Sequence, residues 1–280
     1  MKLTRILVID GNDAATRAKH VSVGGTASGE GYAATLKRLK PDIECDIVRP
    51  ADEVPKLPQG VALESYHGAV ITGSALNIYS REAAVERQVD LAKAVFAAGV
   101  PCFGSCWGLQ LGVTAAGGNV IRNPRGREFG FGRRIMLNAQ GRDHAMFQGK
   151  PEVFEAVTVH VDTVDSLPPG GVPLAHNHMG LQAAEIRFTN GGSFWGVQYH
   201  PEYSVAEAAA MARRYADVLI RDGLVRDRED LDALAADLGA LDANPGDARL
   251  AWRFGVGESI TNRDVKLAEL RNWLDQKVLK

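Results

Sequence analysis

The residues best suited to chemistry in this sequence are one cysteine and, far along the chain, a histidine with a glutamate. Cys106 lies in the segment Gly104-Ser105-Cys106-Trp107-Gly108-Leu109-Gln110, between an apolar run and a helix-compatible segment. A strand, a sharp turn flanked by glycines and a helix are typical of a nucleophile elbow. At the start of a helix, unpaired N–H groups and the helix dipole favour a thiolate. We therefore predict that Cys106 is a nucleophile and that the Trp107 amide can stabilise an oxyanion.

His200 and Glu202 follow the strand-like segment Ser193-Phe194-Trp195-Gly196-Val197-Gln198-Tyr199. Residues two apart in an extended chain project to the same side, so the two side chains can meet. Pro201 between them fixes its own φ and biases His200 toward an extended conformation. This arrangement predicts a catalytic base, His200, oriented by the carboxylate of Glu202.

These motifs resemble those of the class I glutamine amidotransferase family, which includes the glutaminase domain of GMP synthase. The resemblance rests on the elbow around Cys106 and on Gly196-Val197-Gln198-Tyr199-His200-Pro201-Glu202. A third match is Gly68-Ala69-Val70-Ile71-Thr72-Gly73-Ser74, and weaker ones are Arg127-Glu128-Phe129-Gly130 and His160-Val161-Asp162. Together they extend from about residue 3 to about residue 203.

The resemblance implies a cysteine-dependent C–N amide hydrolase with a thioester intermediate and no cofactor. Besides the triad, it implies an oxyanion hole at Gly73 and Trp107, and substrate contacts from four residues, Gln110, Val159, His160 and Val161. Gln110 could instead cap its own helix. The family often has serine where this chain has Val159, so backbone contacts can persist there but a serine side-chain contact cannot.

Three functions follow from these observations. The first is hydrolysis of the side-chain amide of glutamine or of a γ-glutamyl amide or peptide. The second is a glutaminase subunit that supplies ammonia to a separate synthetase, and the third, from a different class, is a non-catalytic binding or regulatory module. The presence of Cys106, His200 and Glu202 together favours an enzyme with a small-molecule substrate, and a synthetase subunit or a second copy of the chain is a conceivable partner.

Composition agrees with an ordinary globular protein. The 280 residues are 45% hydrophobic and 24% charged, with a net charge of −2. The lack of a long basic run argues against nucleic acid as a partner, and no apolar stretch approaches the roughly 20 residues of a membrane span. Three cysteines are too few and too unevenly placed for a disulfide framework, and a working thiol needs a reducing compartment, so we expect a cytoplasmic protein. The pair His176 and His178 is a weak metal-binding pattern, and we predict no metal.

Strands alternating with helices predict an α/β fold in the first half of the chain, a mostly parallel open sheet with helices on both faces. The family resemblance implies that this sheet is of the flavodoxin-like type. From Val120 to Glu202, short strand-like runs predict antiparallel hairpins packed on one edge of that sheet. We expect a catalytic domain over residues 1–203 and a helical C-terminal extension over 204–280, either a cap that covers a sheet edge or dimerises, or a docking surface. The glycine-rich segment Gly24–Gly31 is expected to be a mobile lid or a plain surface loop.

Overall fold

The computed structural model describes residues 4–280. It contains a large mixed sheet, a two-stranded sheet and twelve α-helices within those residues. The strands are β1 Thr4–Ile9, β2 Ile43–Val48, β3 Gly68–Ile71, β4 Cys102–Ser105, β5 Asn119–Arg122, β6 Glu128–Leu137, β7 Val153–His160, β8 Asp162–Ser166, β9 Gly171–Asn177, β10 Gly180–Arg187 and β11 Ser193–Val197. The helices are α1 Ala14–Ser22, α2 Ser28–Leu39, α3 Ala83–Ala97, α4 Trp107–Ala115, α5 Ala139–Arg142, α6 Val205–Arg214, α7 Ala216–Arg221, α8 Arg228–Ala243, α9 Ala248–Phe254, α10 Glu258–Thr261, α11 Arg263–Lys266 and α12 Ala268–Trp273.

The large sheet has nine strands in the order β2-β1-β3-β4-β11-β10-β9-β6-β7. Its first five strands are parallel, and the remaining four continue it as antiparallel neighbours. The predicted fold class, a mostly parallel α/β sheet with an antiparallel region, is confirmed. The hairpins lie at one edge of the sheet, as expected, and continue it as antiparallel strands, while β5 and β8 form the separate two-stranded sheet.

Alternation along β1 explains why both faces of the sheet are covered. Ile6 and Val8 enter one apolar core, and Leu7 and Ile9 enter the other, with all four fully buried. Because successive strand side chains point to opposite faces, a run of consecutive apolar residues requires helices on both sides. The carboxyl ends of β3, β4 and β11 then meet at one edge, where open α/β sheets bind ligands.

The expectation of a loop over Gly24–Gly31 is wrong for half of that segment. Helix α1 precedes it, and helix α2 already begins at Ser28. A Cβ on Gly29 would lie 2.8 Å from a methyl carbon of Ile47, so this glycine allows the helix to pack closely on the sheet. Glycine therefore serves close packing here, and only the stretch before Ser28 is a connection.

The C-terminal helices share the core of the sheet. Trp273 is fully buried in the same apolar cluster as Ile6 and Phe103, and a Cβ on Gly68 would lie 2.9 Å from its ring. The last helices thus cover a face of the central sheet, where an edge was expected. The division after residue 203 stays a prediction.

Among residues 4–280, no helix combines the length and the apolar character needed to cross a membrane.

Candidate active site

Cys106 sits at the tip of the turn between β4 and α4, in a conformation that side-chain-bearing residues rarely adopt. Its backbone has φ 54° and ψ −104°, and it is the residue immediately before the first helical residue of α4. Its N–H donates to the carbonyl of Val197 at 2.7 Å, which ties the turn to β11. Backbone strain that the surrounding structure imposes in this way is concentrated at functional sites.

The two glycines of the elbow are required by close backbone contacts. A Cβ on Gly104 would lie 2.5 Å from the carbonyl carbon of Gly108, and a Cβ on Gly108 would lie 2.4 Å from the carbonyl oxygen of Ile71. Both contacts are shorter than a real Cβ makes, so the helix can approach the strands only with glycine at both positions. The pattern that predicted the elbow from sequence therefore has a direct packing cause.

His200 and Glu202 form a buried pair beside this turn. Nδ1 of His200 lies 2.8 Å from a carboxylate oxygen of Glu202, and the two side chains are 1% and 3% exposed. The backbone N–H of His200 donates to the carbonyl of Val157 in β7. The ring of Tyr203 is stacked parallel to the imidazole, with centroids 3.9 Å apart. The imidazole is held on one nitrogen and one face, which leaves Nε2 available to the neighbouring cysteine.

The charge state of His200 follows from its neighbours. Burial by itself lowers the pKa, but the carboxylate of Glu202 and then the sulfur of Cys106 outweigh it and raise the pKa of His200 to about 10. The imidazole is therefore protonated at neutral pH when Cys106 carries negative charge. An imidazolium beside a thiolate can act as a general acid.

The two residues predicted to form an oxyanion hole border the same site. Gly73 follows β3, and a Cβ there would lie 2.5 Å from Cε1 of His200, so only glycine fits against the imidazole. Trp107 is the first residue of α4, and its N–H is one of those that have no acceptor inside the helix. Its indole is buried and donates to the side-chain oxygen of Gln88 at 2.8 Å, which fixes the orientation of the side chain.

A cavity of about 160 Å³ opens beside Cys106 and contains the other predicted substrate residues. Its lining includes Gln110, Val159, His160, Val161, Asp162 and Arg127. The carbonyl oxygen of Val159 lies 3.6 Å from the sulfur of Cys106. The imidazole of His160 is already bound on both nitrogens, by the carboxylate of Glu128 and the carbonyl of Asp162. His160 therefore shapes the cavity as a fixed part of its wall.

Gln110 does not cap its own helix, because no side chain makes a capping hydrogen bond at the start of α4. Its side-chain amide instead donates to the amide oxygen of Gln198 at 3.3 Å, and Nε2 of Gln198 lies 3.6 Å from the sulfur of Cys106. The sequence prediction missed Gln198, although it lies two residues before His200 on an extended segment and so projects to the same side.

A second, narrow cavity lies on the side of Cys106 that carries His200. Its lining includes Asn12, Gly73, Tyr203, Met211, Arg214 and Tyr215, in addition to the cysteine and histidine. Most of these residues were missed from sequence because they come from the connection after β1, from the turn after the triad glutamate, and from α6 and the residue that follows it, and no motif connects them. Tyr203 alone had a local signal, since it directly follows Glu202.

Within residues 4–280, no three His, Cys, Asp or Glu side chains are grouped so that they could hold a metal ion. Nδ1 of His144 contacts the backbone of Met146, and Nε2 of the same ring lies 3.3 Å from Glu185.

Comparison with known proteins places this geometry in context. The family model for glutamine amidotransferase class-I matches residues 32–215. A gamma-glutamyl-L-1-hydroxyisopropylamide hydrolase from a Pseudomonas species is 33% identical over the whole chain and 95% of its own length. A GMP synthase from Nitrosomonas eutropha is also 33% identical, but over 52% of this chain and only 27% of the synthase. The chain thus matches less than a third of that larger protein.

Solved structures show the same fold at low identity. A glutamine amidotransferase from Thermotoga maritima superimposes with a TM-score of 0.63 at 18% identity, covering 100% of both chains. A glutamine amidotransferase from Methylobacillus flagellatus gives a TM-score of 0.60 at 21% identity, covering 97% of this chain and 91% of the other. Both likenesses include the C-terminal helices.

Proposed function

Because the chain belongs to the class I glutamine amidotransferase family, we propose that it hydrolyses γ-glutamyl amides through a γ-glutamyl thioester on Cys106. The enzyme class predicted from sequence, a C–N amide hydrolase acting on a small molecule, is confirmed by the family match and by the full-length relative. The roles of individual residues are part of the proposal.

The observation that carries the proposal is that Cys106 and His200 face one cavity while Glu202 holds the far nitrogen of the imidazole. The nucleophile is fixed by a strained turn, and the acid–base group is fixed by a carboxylate, a backbone hydrogen bond and a stacked ring. This is the arrangement of a nucleophile, its base and an orienting group that covalent catalysis requires.

In the first half-reaction, the thiolate of Cys106 attacks the γ-carbonyl carbon of the substrate. A C–S bond forms, and the carbonyl oxygen becomes an oxyanion that the amides of Gly73 and Trp107 stabilise. The imidazolium of His200 donates its Nε2 proton to the amide nitrogen as the C–N bond breaks and the amine leaves. Loss of a single oxyanion donor typically reduces kcat by about 10²–10³.

In the second half-reaction, neutral His200 takes a proton from a water molecule that attacks the thioester carbon. The C–S bond then breaks, glutamate leaves, and the thiolate–imidazolium pair is restored. The net change is one amide and one water converted into one amine and glutamate. Glu202 keeps the imidazole in one orientation through both transfers.

The similarity pattern favours γ-glutamyl amides over glutamine as the better substrates. The amide hydrolase from Pseudomonas aligns with the complete chain, whereas the GMP synthase match covers about half of it. Residues from α6 border the narrow cavity beside His200, and they lie in the part of the chain that the sequence assigns to the C-terminal extension. We propose that this extension shapes the leaving-amine side of the site. A working thiolate also favours action in the cytoplasm.

The test is a panel of γ-glutamyl amides and glutamine, assayed for amine or ammonia release by the purified protein. We expect kcat/KM to be higher for at least one amide with a larger leaving amine than for glutamine. If glutamine is the best substrate, and its hydrolysis rises many-fold on addition of a synthetase that copurifies with the chain, then the chain is an ammonia-supplying subunit. If no substrate is hydrolysed, the proposal of a catalytic role fails, and a binding or regulatory module remains.

A further inference from the structure

A buried glutamine, Gln198, places its side-chain amide against the nucleophile. The residue directly follows β11 and is fully buried. Its backbone N–H donates to the carbonyl of Gln182 in β10 at 2.8 Å, which fixes the main chain. Nε2 of Gln198 lies 3.6 Å from the sulfur of Cys106, and its Oε1 accepts a hydrogen bond from Nε2 of Gln110 at 3.3 Å. The two half-reactions of the proposed function leave this side chain without a role.

The burial of Gln198 makes its contact with sulfur informative. Among residues 4–280, the sulfur of Cys106 is the only hydrogen-bond partner of Nε2 in Gln198. A buried amide is costly unless its N–H groups find a good acceptor. A neutral thiol is a weak acceptor, whereas a thiolate carries a negative charge and accepts strongly. The amide nitrogen of Gln198 is therefore well satisfied only when Cys106 is ionised.

The charge on sulfur also sets the direction of the hydrogen bonds that follow. Because a thiolate can only accept, Gln198 turns its N–H groups to Cys106 and its oxygen to Gln110. That oxygen requires the N–H groups of Gln110, which leaves Oε1 of Gln110 for another contact. This last oxygen has no hydrogen bond within residues 4–280 and is not one of their sealed polar atoms, and Gln110 borders the wider cavity. The chain of amides thus ends in an acceptor on the substrate side.

We propose that Gln198 is a catalytic residue that stabilises the thiolate of Cys106 and orients Gln110 toward the α-ammonium group of a γ-glutamyl substrate. This inference rests on the proposed function for the substrate, but its first part applies to the free protein. His200 gives its proton to the leaving amine, whereas an amide keeps its N–H groups through both half-reactions. When water attacks the thioester, the C–S bond breaks, its electron pair returns to sulfur, and Gln198 stabilises the charge that forms.

The first part is tested by alkylation of Cys106 with iodoacetamide at a series of pH values, with the adduct located by mass spectrometry. Gln198→Met keeps the length of the side chain but removes both amide contacts. The limb on which the rate rises with pH should move to higher pH by about 1 unit, a ~10-fold lower rate at any pH on that limb. The limiting rate at high pH should be preserved, because only the thiolate fraction changes.

The matched control is Gln182→Met. Gln182 is also a fully buried glutamine, on the adjoining strand β10, but its side chain donates to Glu128 and Asn177. Its loss should lower the melting temperature without moving the alkylation limb. If Gln198→Met does not fold, the NMR signal of the Gln198 side-chain amide in the wild-type protein decides the question. That signal should shift over the pH range of the alkylation limb, and it should not shift there in Cys106→Ala.

The second part is tested with γ-glutamyl methylamide and N-methylglutaramate, which differ only in the α-amino group. The wild-type protein should favour the amine-bearing compound in kcat/KM by ~10- to 100-fold, the range of a hydrogen bond to a charged group. Gln198→Met and Gln110→Met should both lose most of this preference. Gln110→Met should leave the alkylation limb in place, because the nitrogen of Gln198 still faces the sulfur.

The outcomes separate this inference from the proposed function. An alkylation limb that stays in place in folded Gln198→Met, or a loss confined to the limiting rate, makes Gln198 a packing residue and overturns the inference while the proposed function stands. An unchanged preference for the amine-bearing compound in Gln198→Met overturns the orienting role. If the limb moves as expected in a protein that hydrolyses no γ-glutamyl amide, the thiolate role is supported and the proposed function fails.

Discussion

Replacing Glu202 by glutamine tests how the active site controls its proton. The carboxylate oxygen lies 2.8 Å from Nδ1 of His200, and both side chains are buried. The pKa of His200 is raised from 6.5 to about 10, which corresponds to about 5 kcal/mol of net preference for the imidazolium. Burial lowers the pKa of His200, whereas Glu202 makes the largest contribution that raises it, followed by Cys106.

The expected size of the effect follows from that balance. Because Glu202 is the largest favourable contribution, its loss should lower the pKa of His200 by about 1–3 pH units, the usual effect of an opposite charge in contact, which corresponds to about 1.4–4 kcal/mol. Because the pKa is raised, the imidazolium is present below about pH 10 and is lost as the pH rises through that value. In Glu202→Gln this loss should occur about 1–3 pH units lower.

The pH at which the imidazolium is lost can be measured by single-turnover release of amine from a γ-glutamyl methylamide at a series of pH values. Release should fall above this alkaline limit, because the step needs the proton of His200. Alkylation of Cys106 by iodoacetamide needs only the thiolate, so it should not fall at high pH and serves as an internal control. Glu207→Gln removes a nearby carboxylate that is bound to His20, and it should leave the alkaline limit in place. An unchanged limit and unchanged turnover in Glu202→Gln would refute the role assigned to this carboxylate.

Three further outcomes are expected. Cys106→Ala should abolish both hydrolysis and labelling by a diazo-ketone analogue of glutamine. Cys102→Ala should keep both, because burial raises the pKa of the Cys102 thiol and keeps it protonated. Mass spectrometry that finds the adduct on Cys102 would contradict this assignment. Gly104→Ala should lower the melting temperature strongly, since its Cβ would lie 2.5 Å from backbone, while Gly239→Ala in α8, where a Cβ meets nothing within 4 Å, should stabilise by about 1 kcal/mol. Glu269→Ala leaves the buried ammonium of Lys150 without its carboxylate partner and should lower the free energy of unfolding by about 3–5 kcal/mol, measured by urea denaturation. A decrease below about 1 kcal/mol would contradict this expectation.

Much of the site was predictable because its chemistry is encoded locally. The elbow glycines and Cys106 lie within five residues, and His200 and Glu202 are separated only by a proline. Short-range geometry dictates what such segments do: a turn needs glycine where backbones touch, and an extended chain places alternate residues on one side. The parallel sheet was predictable for the same kind of reason, since strands such as β1 are apolar on both faces.

Only the tertiary structure decided which residues that are distant in the chain contact one another. Gly29 appears in a glycine-rich segment that resembles a loop, yet it lies in the first turn of α2, where Ile47 and Asp10 lie against it. Trp273 lies in the C-terminal extension, which could have covered an edge or formed a dimer, and only the packing places it against Gly68 and the central sheet. Arg214 has no local motif at all. It borders the same narrow cavity as His200 only because of the positions that α6 and β11 take in space, which the order of residues does not reveal.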